Sequence, residues 1–382
     1  MGEIKQRDYV FDTFRGLCMW SIPISHFTRM AGHFSHDSVS GVIYITINVF
    51  VMQAFMFLSG YFSKKPEKSR QIAFKTFLWP YILSIFFFYG VRTLLWGHAT
   101  LYFDQPPFAM WFMLALFLYK LFQKNYIKVP HFFAITFVLY LAAGCIPFLT
   151  EYLSLGRLVS YFSFFFLGYY CNAEHIAKIK CLKKWQSLVL GIVLVGISIY
   201  LAYGLTGIPV EWYLLRRPGA EIGVVWYVDI LMRFVLFVLG CAWLVLMFNI
   251  LPGKDNYLAY VGRNTMPVYI FHLVVRQWIK KHGITMGFFA LPEAGSPLYL
   301  LLILGLASLC VVVFSSKPVS KFYDFVVDGL YDIFMWIIQH IVLVIFGAVE
   351  KVLALAGLGT VDWLGRQKSA AEKSITDEKN NV

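Results

Sequence analysis

The stretch Arg7-Asp8-Tyr9-Val10-Phe11-Asp12-Thr13-Phe14-Arg15-Gly16-Leu17-Cys18-Met19-Trp20-Ser21-Ile22-Pro23-Ile24-Ser25-His26-Phe27-Thr28-Arg29-Met30 decides how the chain is read. It is apolar enough to enter a membrane, yet it carries Asp12, Arg15 and His26. A helix turns about 100° per residue, so the eleven steps from Arg15 to His26 return almost to the same face, roughly 16 Å along the axis. One stripe therefore carries a charge at the membrane edge and an imidazole deep inside. Ionisable groups at that depth are costly and mark a pathway or a reaction site.

The rest of the composition agrees with a membrane. Of 382 residues, 59% are hydrophobic and only 14% charged, far from a soluble domain. Several apolar runs reach the ~20 residues a helix needs to cross a bilayer. In lipid, helices satisfy their own backbone, so the expected class is all-α, a polytopic membrane bundle. The first run is not expected to be a cleaved signal peptide, because its charges and His26 and Arg29 fit no small-residue cleavage site. The net charge of +12 does not point to nucleic acid. Lys and Arg sit in alternate loops, as the positive-inside rule expects. The six Cys have no paired spacing and lie mostly in apolar runs, which reads as packing.

Ten spans are expected, near residues 9–32, 41–62, 74–96, 108–123, 131–149, 157–172, 186–205, 223–250, 257–279 and 297–315. Lys-rich loops follow spans two, four, six and ten, and Lys254 follows span eight. That pattern predicts a cytoplasmic N-terminus in a plasma (inner) membrane. Arg216, Arg217, Lys280 and Lys281 dilute the contrast from the opposite face. Residues 1–317 are read as one membrane domain, 318–365 as a membrane-associated helical segment, and 366–382 as a disordered polar tail. Within the second piece, residues 333–349 fit an interfacial or partly buried helix better than an eleventh span.

His26 is the first candidate for chemistry. Pro23 loosens the helix just before it, and imidazole can take a proton from a hydroxyl and return it to a leaving group. The plainer reading is a histidine hydrogen-bonded inside the bundle. Asp12 and Arg15, three apart, can pair on one face, or Arg15 can hold a phosphate or a polarised carbonyl through its planar fork. Arg7 is an interfacial anchor or a donor contact. Ser59-Gly60-Tyr61 closes span two, where small residues allow close helix contact. Trp111 opens span four, as an aromatic-belt anchor or a site wall. Arg157 and Tyr161 lie one turn apart at the start of span six, where the Arg snorkels or closes a pocket. Gly262-Arg263-Asn264 can offer backbone donors and a cation to an anion, and Tyr269 and His272 follow on the same span. No metal-binding, nucleotide-binding or serine-hydrolase motif is present, so no metal is expected.

These segments together resemble the acyltransferase-3 family of integral-membrane acyltransferases, and within it the fucose 4-O-acetylase-like branch. The resemblance rests on Asp12-Thr13-Phe14-Arg15-Gly16 with His26, which fits the family's pattern of Arg, ten residues, His. Phe57-Leu58-Ser59-Gly60-Tyr61, Trp111-Phe112-Met113-Leu114-Ala115-Leu116-Phe117 and Gly262 to His272 support it. It covers residues 7–317 and implies ten core helices. It also implies O-acyl transfer, most often of acetyl from acetyl-CoA as cosubstrate, to a sugar hydroxyl of a cell-envelope glycan or glycolipid. His26 is the catalytic residue so implied, as general base or as acyl carrier, with Arg15 its motif partner. The esterase-like domain fused to some members is not expected in these residues. Succinyl-CoA is the alternative donor, with Arg157 or Arg233 to hold its second carboxylate. A transporter or flippase is the reading from another class. It predicts inverted repeats or paired broken helices, which the sequence does not clearly carry.

Overall fold

The computed structural model describes residues 8–31, 34–147, 149 and 152–355. Among them every regular element is helical. In chain order these are α1 (Val10–Thr28), α2 (Val39–Tyr61), α3 (Pro66–Ala73), α4 (Trp79–Trp96), α5 (Trp111–Tyr126), α6 (Phe132–Ala142), α7 (Leu155–Tyr170) and α8 (Ala173–Lys180). Then come α9 (Lys184–Tyr203), α10 (Val210–Tyr213), α11 (Trp226–Ile250), α12 (Tyr257–Arg263), α13 (Thr265–Ile279), α14 (Pro297–Phe314) and α15 (Lys317–Leu355).

Local chemistry sets several boundaries. Ser38 opens α2 by accepting from the Gly41 amide at 3.0 Å. Ser296 does the same for α14 through Tyr299 at 3.2 Å, with Pro297 in the first turn. Asn256 caps α12 through Ala259 at 3.0 Å, and its amide reaches the Thr13 hydroxyl at 2.9 Å. The two family-like segments at residues 12–16 and 262–264 are thereby packed against each other.

Six helical stretches are long and apolar enough to cross a membrane. They are Val39–Tyr61, Pro66–Trp96, Lys184–Tyr203, Trp226–Ile250, Pro297–Phe314 and Lys317–Ile345. The other expected spans are shorter or more polar. Val10–Thr28 carries Asp12 and Arg15. Leu155–Tyr170 starts only after Ser154, whose φ is 54°, and Phe132–Ala142 only after His131, also at 54°. The third expected span begins earlier, because Pro66 starts a helix where a basic turn is predicted. The helix passes through a π-turn at Phe74–Leu78 before Pro80. The ninth is broken at Asn264 into α12 and α13, so Pro267 lies in the first turn of the second piece.

α1 packs on α2, α12, α13 and α14, and α2 packs on α7, α9 and α11. Glycine makes two of these contacts close enough for backbone to meet backbone. A Cβ on Gly16 would enter the Leu258 carbonyl, and one on Gly262 the Asp12 carbonyl. At the α2–α7 crossing, a Cβ on Gly60 would enter the Phe165 carbonyl and one on Gly168 the Phe57 carbonyl. Small residues at membrane helix crossings do this work. Gly168→Leu is expected to cost about 1–3 kcal/mol through forced separation of α2 and α7. A lower unfolding temperature in detergent checks it. Gly196→Leu, at a site with open space around it, is the matched control.

The two ends of α1 differ in charge. At the Val10 end, Lys180 pairs with Asp8 at 2.6 Å. Lys64 caps the C-terminus of α7, donating to the Gly168, Tyr169 and Cys171 carbonyls. Lys124 pairs with Glu67 at the same end. At the Thr28 end the cations are mainly arginines that turn inward, as described below.

The chain divides into two compact units, Met1–Tyr323 and Asp324–Val382. In the second, the expected separate helix over 333–349 is the continuation of one long helix. No residue of it from Asp324 to Ile345 is fully buried, while Phe334, Met335 and Val342 are half-buried. The predicted tail, 366–382, lies outside the described residues.

Candidate active site

His26 is placed by the second half of α1, where the chain meets a proline and uses its small polar residues. Pro23 offers no amide proton to the preceding turn. Around it the Ser21 hydroxyl donates to the Leu17 carbonyl and Thr28 to Ile24, both at 2.9 Å. Tyr299 locks the end of the helix: its hydroxyl donates to the Phe27 and Thr28 carbonyls, each 3.1 Å away, and accepts from the Ala31 amide at 3.2 Å. The buried cluster of Phe27, Met30, Ile279, Tyr299 and Ile303 backs this turn. From α13, the Arg276 Nε donates to the His26 carbonyl at 3.0 Å.

The His26 side chain faces a cavity of about 560 Å³. Its own imidazole makes no hydrogen bond to a described residue, so both ring nitrogens remain available to a ligand. On α2, the Asn48 amide donates to the Ser25 hydroxyl at 2.9 Å and to the Tyr44 carbonyl at 2.7 Å. This ties the wall opposite His26 to α1. His272 stands behind, with ring centres 5.1 Å apart and planes tilted 51°. Its Nδ1 is 2.7 Å from the Val268 carbonyl, which can only accept, so that nitrogen carries the proton. The remaining Nε2 is a buried acceptor with no partner.

The far wall is aromatic and cationic. The Arg157 guanidinium lies 4.8 Å above the Trp111 ring and donates to the Ser154 hydroxyl at 2.9 Å. Trp111 and Tyr161 ring centres are 5.1 Å apart. The Tyr269 hydroxyl donates to the Ala109 carbonyl and holds the 101–110 loop over the cavity. Arg29 enters from α1, paired with Glu211 at 3.1 Å.

Of the residues singled out in the sequence, His26, Trp111, Arg157, Tyr161 and Tyr269 line this cavity, with His272 behind His26. Asp12, Arg15, Ser59, Tyr61, Arg263 and Asn264 do not reach it. Arg15 is 3.9 Å from Asp12 and 3.4 Å from the Gly262 carbonyl, at the other end of α1. Arg263 pairs with Asp255 at 3.1 Å and lies over Tyr9, away from the cavity. Tyr61 stacks on Phe11 at 4.8 Å, and the Ser59 carbonyl accepts from Ser63 at 2.6 Å. The Asn264 amide donates to the Tyr260 carbonyl. Arg7 lies outside the described residues. Arg233 is buried against Asp229 at 2.8 Å and does not line the cavity.

Sequence reasoning passed over Ser25, Asn48, Arg92 and Arg276, and gave Arg29, Arg216 and Lys280 no role in a site. A signal existed for three of them. Arg29 follows His26 by three residues and Arg276 follows His272 by four, so each shares its histidine's helix face. Asn48 is one of two amides, with Gln53, in a largely apolar span, which in a membrane is itself a flag.

Searches of curated proteins and of solved structures returned no match. The comparison with family models did: the acyltransferase domain of the acyltransferase-3 family matches residues 8–317. Five of the six candidate spans and the cavity that His26 lines thus lie within the matched region, and nothing in the match supports a transporter. The chain belongs to the acyltransferase-3 family of integral-membrane acyltransferases.

Proposed function

We propose that this membrane acyltransferase moves an acetyl group from acetyl-CoA to a sugar hydroxyl of a cell-envelope glycan or glycolipid, in the manner of the fucose 4-O-acetylase-like branch. The observation that carries the reading is His26: it stands unbonded in a cavity walled by Trp111, Tyr161 and Tyr269, inside the matched family domain. Flat aromatic faces suit a sugar ring, and a few convergent polar groups fix its orientation.

In this reading the N-terminus is cytoplasmic in the plasma membrane, and ten passes form the core. The lysines around the Val10 end mark the inner face. CoA approaches from that face, where Arg15 stands, and its pantetheine arm brings the thioester to His26. The sugar hydroxyl comes to the cavity. His26 takes its proton, the oxygen attacks the thioester carbonyl, the C–O bond forms and the C–S bond breaks. The proton leaves with the CoA thiol. Transfer through an acetyl-histidine is the second route. His272, whose ring centre stands 5.1 Å from that of His26, acts as a positioning residue for the imidazolium that forms. A succinyl donor would need a cation at its second carboxylate, and of the two arginines considered only Arg157 lines the cavity.

The test is purified protein incubated with radiolabelled acetyl-CoA and a total extract of membrane glycolipids and glycans. Label is expected in a carbohydrate fraction, stable to thiols and released by mild base as an ester. Label that stays on CoA with every acceptor fraction, from a folded protein that does not bind CoA, would sink the reading.

A further inference from the structure

Six cations line the cavity: Arg29, Arg92, Arg157, Arg216, Arg276 and Lys280. No Asp or Glu lines it among the described residues. Glu211 holds Arg29, but from outside the cavity wall. Arginine does not lose its proton in proteins, so five of these charges are permanent. Gathering like charges in a concave, partly dry space raises the local potential and draws anions. Two of the six, Arg216 and Lys280, are residues that blur the positive-inside contrast in the sequence. Their place is explained by what they face, not by topology.

The cations come from five separate parts of the chain: the end of α1, the end of α4, the start of α7, the loop around Leu214 and Arg216, and the second half of α13 with the turn after it. Several are also fixed in direction. Arg157 lies on Trp111 and bonds Ser154, Arg276 bonds the His26 carbonyl, and Arg92 lies 4.6 Å above the Phe108 ring. A guanidinium held in a fixed direction presents a planar fork whose geometry matches phosphate oxygens. One carboxylate would answer only a small part of this charge. A volume of about 560 Å³ suits one small ligand.

We infer that the acceptor is a phosphorylated sugar, whose phosphate or diphosphate is held by cations of the cavity lining, Arg157, Arg276 and Lys280 among them, while a hydroxyl of the same sugar faces His26. This deepens the proposed acyl transfer and rests on it for the role of the hydroxyl. The anion site itself stands on the cation cluster alone. The phosphate can belong to a soluble sugar phosphate or to a lipid-linked one, and the chemistry of recognition is the same.

The full chain, purified in detergent, is titrated by calorimetry with glucose, glucose 6-phosphate, glucuronate, inorganic diphosphate and, separately, CoA. Glucose 6-phosphate and diphosphate are expected to bind, glucuronate more weakly, and glucose below detection. Arg157→Gln, Arg276→Gln and Lys280→Gln are each expected to weaken diphosphate by roughly tenfold, the worth of one charged hydrogen bond. Arg157→Lys restores part of that loss, and CoA affinity stays unchanged throughout. Lys280 is exposed, so its variant guards against a misfolded control. Glucose 6-phosphate in solution and a polyprenyl-phosphate-linked sugar in nanodiscs, run side by side, separate the two sources, and binding of either supports the inference. CoA affinity falling in step with diphosphate would reassign the cations to the donor's phosphates and overturn it, with acyl transfer intact. Glucuronate or glucose binding as tightly as the phosphates would overturn it too, as would no anion binding at all. A native chain that binds diphosphate but no CoA would leave the anion site standing and remove the acyl-CoA reading instead.

Discussion

His26→Ala is expected to lower acyl transfer by about 10²–10⁴-fold, the usual contribution of a positioned general base. The protein should still fold, because the imidazole makes no hydrogen bond to a described residue and its loss orphans no partner. The interactions that hold this part of α1 use the backbone, through Arg276 on the His26 carbonyl and Tyr299 on the two carbonyls that follow. Side-chain truncation leaves them in place. CoA affinity should change little, since the phosphates of CoA do not need the imidazole. The loss should therefore fall on kcat, as expected for an interaction made in the transition state.

His272→Gln sharpens the point. It keeps a polar atom near the unbonded Nε2 position but removes the ring beside His26. A smaller loss of kcat with KM unchanged is expected, together with a shift in the pH–rate profile that a purely structural role would not give. Should His26→Ala transfer label at the native rate, the assignment of the base fails. Should the native protein hold acetyl covalently when no acceptor is present, and His26→Ala hold none, the histidine is a carrier and not only a base.

The sequence carried much of this site and little of its surroundings. A lone imidazole eleven steps from an arginine on an apolar helix is a strong signal, because burying either group is costly. The two ends of that stripe nevertheless have different settings. Arg15 lies by Asp12 and the Gly262 carbonyl, and only the His26 end opens into the cavity. Helix periodicity shows which residues share a face, not how far along the face a cavity extends. The family-like segments 12–16 and 262–264 mislead for a related reason. Gly16 and Gly262 let two backbones touch, so part of that motif is a packing motif, and Arg263 is committed to Asp255. The cations of the cavity were hardest to see. They come from segments far apart in the chain, and each alone reads as a snorkelling residue at a membrane edge. Asn264 breaks one expected span in two and Ser154, at φ 54°, sets where another helix starts, so local sequence placed the spans but not all of their ends.

The largest effect on stability is expected at Asp229 and Arg233. The Arg233 side chain is 2% exposed and that of Asp229 is fully buried. The carboxylate takes Arg233 Nε at 2.8 Å on one oxygen and Trp212 Nε1 at 2.5 Å on the other. Arg233 Nη1 goes on to the Ser160 hydroxyl at 2.9 Å, and the Tyr140 hydroxyl donates to the Arg233 carbonyl at 2.8 Å. One ion pair and its hydrogen bonds thus join α6, α7, α10 and α11. A Cβ on Gly144 or on Gly219 would run into the Asp229 side chain, so the backbone closes tightly around it. Breaking such a pair from one side leaves a buried charge uncompensated, at about 3–5 kcal/mol. Asp229→Asn keeps the shape and the Trp212 bond yet strands the guanidinium. Arg233→Met strands the carboxylate. Each single variant is expected to unfold at lower temperature and to be recovered in poor yield. The double variant, with both charges gone, should regain most of the loss, because replacing a buried pair with apolar volume is often neutral. The coupling also reaches the cavity: Ser160 precedes Tyr161 and lies one turn beyond Arg157, so α7 presents both residues from a turn that Arg233 braces. The single variants should therefore weaken diphosphate binding at temperatures where they are still folded, and the double variant should restore it only in part, since the Ser160 bond is gone. Two single losses that simply add in the double variant would show that Asp229 and Arg233 are not one unit, and would remove the brace.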